Sequence, residues 1–167
     1  MTNFKEFLRS QKQNEKGAQS NTELVLKIAA EWARLKAMVQ TLAAGESYQG
    51  ETFAWAPYGA AYTDFVKLTN VAAIFRESRN LPDSPLICEI LFGRRPLAAN
   101  EIWSVEKSPS SQVWHLTPRM QGGERTWQVK ELHKSLSTEE LANEVLVTLV
   151  KYFDEYESFY RTGQWLG

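Results

Sequence analysis

His115 is the histidine around which chemistry can be assembled from the sequence. It lies in Trp114-His-Leu116, and two more segments repeat that pattern of a tryptophan followed two residues later by a branched aliphatic: Trp103-Ser-Val105 and Trp127-Gln-Val129. Read as three consecutive strands of one antiparallel sheet, these segments send alternate side chains to opposite faces. The three tryptophans then share one face, and Ser104, His115 and Gln128 stand side by side on the other. Glu106, Val113 and Lys130 fall one step along that face, and Ile102, Thr117 and Thr126 one step the other way. Glu89, on the preceding apolar strand, has the parity to join them. A histidine held by a carboxylate beside a hydroxyl can act as a general base or activate a nucleophile. The same residues are also ordinary occupants of a solvated sheet face. A flat strand lacks the sharp turn and oxyanion pocket that nucleophilic sites use. The expectation is therefore no enzyme, with a hydrolase centred on His115 ranked behind two binding readings.

Other chemistry has less to work with. His115, His133 and Cys88 have no metal-ligand spacing, and no phosphate loop, dinucleotide fingerprint or Gly-x-Ser-x-Gly elbow occurs. Neither a metal nor a cofactor is expected. Cys88, alone in an apolar run, reads as a small buried hydrophobe.

To hold such a face, the chain needs a sheet and something to cover its tryptophans. At 167 residues, 43% apolar and 12% aromatic, the composition is that of one globular domain spanning 1–167 with a real core. Asn3 and Glu6 have capping-box spacing for a short helix carrying Phe4, Phe7 and Leu8. Residues 9–21 hold almost nothing apolar, which suits a solvated linker or the exposed part of one long helix; the linker is preferred, making 1–20 a short helix plus a polar linker. Ser20 and Glu23 repeat the capping-box spacing. Leu24, Ile28, Trp32, Leu35, Val39 and Leu42 then recur at helical steps until Gly45, predicting a helix over 21–44. Strands are expected at Thr52–Pro57 and Tyr62–Leu68. Residues 70–77 suit either a short helix or a strand, and 80–85 is a proline loop. Leu86–Phe92 reads as a strand covered on both faces, closed by Gly93-Arg-Arg-Pro96.

Ser108–Ser111 is expected to make a tight hairpin and Pro118–Glu124 a looser connection. A centred register sets Trp103 opposite Leu116, Val105 opposite Trp114, Trp114 opposite Val129 and Leu116 opposite Trp127. Ser137 with Glu140 forms a capping box, and Leu136 with Leu141 a hydrophobic staple. Leu141, Val145, Leu149, Tyr152, Tyr156 and Phe159 make one face of a helix over 137–162, whose outer side is acidic. The predicted fold is α+β: an antiparallel sheet of five or six strands within 52–131, including a meander over 101–131. A long N-terminal and a long C-terminal helix pack on its tryptophan face. That element order resembles the layout of roadblock and profilin-like modules, and the resemblance implies a dimerising scaffold rather than an enzyme.

Charge narrows the partners. A net charge of -1 gives no overall reason to expect nucleic acid or an anionic membrane. No signal core or membrane-length apolar run occurs, so the expected location is cytoplasmic, away from the membrane. The first reading is a small soluble protein-interaction module of adaptor, immunity or inhibitor type. It would bind another protein, or a second copy of itself, through the polar sheet face, the sheet edge or the acidic helix. Trp55, Tyr58, Arg94, Arg95 and Trp165 are the candidate anchors, since Trp, Tyr and Arg dominate interface hot spots. The alternative is a nucleic-acid-binding accessory using the Arg94-Arg95 region, where basic residues sit among aromatics; Glu101, Glu106, Glu124 and Glu131 dilute that charge.

Overall fold

The computed structural model describes residues 3–57, 63–78, 87–95, 105, 111–120 and 123–162, with side chains for all of these except 10–22, 57, 63, 78, 87 and 157–162. Helix α1 runs unbroken over Phe4–Ala43. Strands β1 (Ser47–Tyr48), β2 (Glu51–Pro57), β3 (Thr63–Leu68), β4 (Val71–Ser78) and β5 (Ile87–Arg94) follow, then β6 (Gln112–Arg119) and β7 (Thr126–Val129). A 3-10 turn over Lys130–Leu132 leads to β8 (Lys134–Ser137) and helix α2 (Thr138–Thr162). The eight strands form one sheet in chain order, every neighbouring pair antiparallel. The class is α+β as expected, with more strands than the expected five or six. No helix among the described residues is long and apolar enough to cross a membrane.

The extra strands come from short pieces with little apolar alternation. Gln49 and Gly50 both take positive φ in a two-residue loop between β1 and β2, the requirement of a type I′ hairpin. Residues 70–77 fall as strand β4, paired with β3 from Leu68↔Val71 onwards. That removes the short helix from the element order shared with roadblock and profilin-like modules.

Residues 9–21 are not a linker. They lie inside α1, whose N-cap is Asn3, with its side-chain oxygen accepting from the Lys5 amide at 2.9 Å. Gln, Lys, Glu and Ala are adequate helix formers, and a scarcity of apolar residues removes the periodic signal without preventing a helix. Because the helix continues through Ser20, the second capping-box spacing marks no start.

Both helices lie on one face of the sheet, the tryptophan face, as predicted. Ile28, Trp32, Leu35 and Val39 of α1 and Leu141, Val145 and Leu149 of α2 are buried with Trp114, Leu116, Trp127 and Val129 in one core. Trp32 sits between Phe75, at 5.7 Å between ring centroids, and Trp127, at 5.9 Å. Leu42, expected to close the α1 stripe, is exposed; Ala43 takes the core position. Helix α2 starts as its sequence dictates. Ser137 N–H donates to Glu140 Oε1 and Glu140 N–H donates to Ser137 Oγ, each at 3.1 Å, above buried Leu136 and Leu141. Phe159's side chain lies outside the described residues.

Of the first tryptophan segment, only Val105 is among the described residues. Val105 is helical, and it is buried on the opposite face with Phe65, Ala72, Ile74 and Leu91. The place beside β6 where it was expected belongs to β5, with Ile90 opposite Trp114. Trp103 lies outside the described residues, as do the expected loop at 80–85 and the hairpin at 108–110. Between β6 and β7 the register is Leu116↔Val129 and Pro118↔Trp127, two residues from the expected one. An even slip keeps every side chain on its face, so Trp114 and Trp127 are buried despite it.

Candidate functional site

The pleat carries Arg76, Glu89 and His115 to the reverse face as cross-strand neighbours, since Arg76 pairs with Glu89 and Glu89 with His115. Arg76 donates to Glu89 Oε2 from Nε at 2.9 Å and from Nη2 at 2.5 Å. Glu89 Oε1 lies 3.7 Å from His115 Nε2. From the other side comes Glu131, held in the 3-10 turn. Its Oε1 accepts the His115 backbone N–H at 2.6 Å, and its Oε2 lies 2.7 Å from His115 Nδ1. The result is a polar line, Arg76–Glu89–His115–Glu131, across four elements. Burial pushes the Glu131 carboxyl up, but hydrogen bonds from the His115 amide and ring and from its own amide outweigh that and hold it below its ordinary value.

Glu89 and His115 thus meet as predicted, whereas Ser104 and Glu106 lie outside the described residues. Gln128 is exposed, its Oε1 accepting from Arg119 at 2.9 Å. Lys130 is exposed at the start of the 3-10 turn and lines an open hollow of about 400 Å³ with Thr117, Gln128 and His133. Both ring nitrogens of His115 face carboxylates. The Arg76–Glu89 salt bridge joins β4 to β5. Among the described residues, no group of three His, Cys, Asp or Glu side chains could hold a metal ion.

The lowered Glu131 value has a pH consequence. A carboxylate favoured in the folded state stabilises it above the unfolded value, here 4.5, and loses that contribution as pH falls through the folded value. Glu131→Gln should therefore cost about 1 kcal/mol at neutral pH. Urea unfolding of both proteins from pH 7 down should show the gap closing below pH 4.5; a constant gap would refute the assignment.

A second polar cluster, unforeseen from the sequence, lies where α1, α2 and β7 meet. Glu31 is 5% exposed. Its Oε1 accepts from Thr138 Oγ1 and from Arg34 Nη1, both at 2.6 Å, and its Oε2 faces Arg125 Nη1 at 3.7 Å. Thr138 Oγ1 in turn accepts from Trp127 Nε1 at 3.1 Å. Arg34 reaches on to Glu139, and its pKa is raised by the hydrogen bonds to Glu139 and Glu31. Glu139 is held low by its own amide and by Arg34. Glu31 also lines a pocket of about 210 Å³ with Lys27, Met120, Glu124 and Arg125. The sequence held a signal for it. Glu31 falls three residues after Ile28 and four before Leu35, on the apolar stripe, and a charge on a buried stripe needs partners.

The interface anchors divide. Trp55 is half-buried, 5.6 Å from Phe75 between ring centroids, which makes its ring part of the helix-side packing. Tyr58 and Trp165 lie outside the described residues. Arg94 and Arg95 are half-buried at the end of β5, where the Arg95 amide donates to the Asn70 carbonyl at 2.6 Å.

Sequence reasoning also missed the outer surface of α1. Seven large apolar residues are exposed among those described, and six lie on this helix: Phe4, Phe7, Leu8, Leu24, Leu26 and Leu42. Phe4 is 72% exposed, Phe7 50% and Leu8 43%. Among residues 4–9 and 23–27 of α1, whose side chains are described, none is buried. The seventh, Val147, lies on α2 and lines a shallow apolar hollow with Leu42, Phe53, Leu146 and Val150. Leu42 opens onto a second hollow with Ala37, Met38 and Thr41. Comparison with family models, with curated proteins and with solved structures finds no match for this chain.

Proposed function

We propose that this chain is a non-catalytic protein-interaction module of the adaptor type, and that the N-terminal half of α1 is its docking arm. The observation that carries the reading is the concentration of exposed large apolar residues on α1. Phe4, Phe7 and Leu8 stand at positions i, i+3 and i+4, neighbours on one helical face. Each such side chain releases about 1.5–3 kcal/mol when buried, which the arm forgoes while it faces water. Apolar surface gathered in one place marks an interaction site, and a helix presenting such a face fits the helix-in-groove mode of protein recognition. The half-exposed, carboxylate-flanked His115 supports a structural part in the sheet.

The test replaces Phe4, Phe7 and Leu8 together by serine. All three are exposed, so the melting temperature should stay within a few degrees of wild type, as expected of surface changes. Capture of a stoichiometric protein partner should be lost. Equal capture by both proteins would overturn the reading, as would a chain that binds only anionic vesicles, or only oligonucleotide with steep salt dependence.

A further inference from the structure

Resting on the docking-arm reading, we infer that the partner of the arm is a second copy of this chain, joined by antiparallel pairing of the two α1 helices about a two-fold axis near Leu24. Three features of the chain fit each other in that arrangement.

The first is reach. Helix α1 has 40 residues, about 60 Å at 1.5 Å per residue. Among its described side chains, the buried ones run from Ile28 to Ala43. The part before Ile28 spans about 36 Å, enough to lie along the whole covered part of a partner's α1. Setting Phe7 beside the partner copy's Leu42 position puts Leu8 beside its Thr41 and brings Leu24 and Val25 together at the axis. Exposed Leu24 and half-buried Val25 then cover each other.

The second feature is the receiving surface. Leu42 is 40% exposed and Val147 48%, and the two shallow hollows that meet at Leu42 have volumes of about 210 and 260 Å³. They are lined by Met38, Phe53, Leu146 and Val150 and lie level with Phe7 and Leu8 of the opposing arm in that register. A two-fold arrangement satisfies both exposed apolar surfaces of each chain at once, because the interface is self-complementary.

Charge is the third. Residues 4–27 carry five basic side chains against three acidic ones. The receiving helix α2 presents Glu139, Glu140, Glu144, Asp154 and Glu155 against Lys151, all exposed or half-buried. A net positive arm meets a net negative helix, which sets orientation and speeds encounter.

Sedimentation velocity at micromolar concentration should show the wild-type chain as a dimer. Leu42→Glu should raise the dimer dissociation constant about a hundred-fold or more, because each substitution enters a two-fold interface twice. The double variant Phe7→Cys with Leu42→Cys should give a covalent dimer under mild oxidation, whereas Phe7→Cys alone should not, since bridged cysteines need Cα atoms within about 7 Å. Cys88 is buried and does not compete. A monomeric wild type overturns the inference. So does a dimer unchanged by Leu42→Glu, or one in which Phe7→Cys alone cross-links as well as the pair, which would mean parallel arms. A monomer that still loses a different protein partner when the arm residues are replaced overturns this inference and leaves the docking arm standing.

Discussion

Glu31→Ala should destabilise the fold by about 3 kcal/mol, the scale for removing one partner from a buried charge network. The carboxylate ties both covering helices to the sheet. It stands on α1, accepts from Thr138 at the start of α2, and through that hydroxyl connects to Trp127 of β7. Thr138 is fully buried, so losing its acceptor exacts the desolvation penalty of an unsatisfied hydroxyl, about 1–3 kcal/mol. Arg34 and Arg125 are 41% and 68% exposed; water can take them back, and their ion pairs add little after screening. The remainder of the loss comes from the space left where the buried Glu31 side chain stood, since packing relaxes only in part. Glu31→Gln keeps an acceptor for Thr138 and should cost about half as much. A double-mutant cycle of Glu31→Ala with Thr138→Val, read by urea unfolding, should give a coupling of about 1–2 kcal/mol. A loss for Glu31→Ala below about 1 kcal/mol would show that water in the adjoining pocket already solvates the carboxylate.

Which parts of this structure could be read in advance follows from which rules are local. Side-chain alternation is local, so Trp114 and Trp127 fell inward and His115 and Glu89 outward even though the β6–β7 register was displaced. Register is not local: β6 runs on to Arg119, opposite Thr126, and the turn is correspondingly shorter than the sequence suggested. Three residues of strand-like pattern at Trp103-Ser-Val105 could not reveal that β5 already occupies the edge of β6. Hydrophobic periodicity needs apolar residues to report, so it found α1 where Ile28–Val39 meets the core and lost it over 9–21, where the sequence holds almost none. The capping box at Ser137 and Glu140 was legible because its bonds close within four residues. Glu131 was not. Alternation counted on from Val129 puts residue 131 on the buried face, but the 3-10 turn at Lys130 breaks the period and swings its carboxylate under His115. The docking surface on α1 was hidden for the same reason as the helix itself, because Phe4, Phe7 and Leu8 were assigned to a separate short element.

Gly93→Ala should cost about 1–3 kcal/mol, the range for overpacking a filled core, although nothing in the backbone requires glycine there. Gly93 is buried on β5, and a Cβ at that position would stand 2.5 Å from Val105 Cγ1. Val105 is fully buried against the reverse face with Phe65, Ile74 and Leu91. Its branched side chain is stiff about χ1, so its methyl group cannot swing away at low cost, and the segment carrying it must lift. Val105→Ala alone should cost about 1–2 kcal/mol through lost burial. In the double variant the new Cβ of Gly93→Ala occupies space that Val105→Ala has vacated. The combined loss should fall short of the sum by about 1–2 kcal/mol, measured by urea unfolding of all four proteins. Additive losses would mean that the close approach of Val105 to Gly93 does not hold this segment in place. The consequence reaches beyond stability, because Val105 is buried in the apolar cluster that Phe65, Ile74 and Leu91 form on the reverse face. Lifting the segment in Gly93→Ala should uncover Phe65, Ile74 and Leu91, and the variant should bind a hydrophobic dye under conditions where wild type does not.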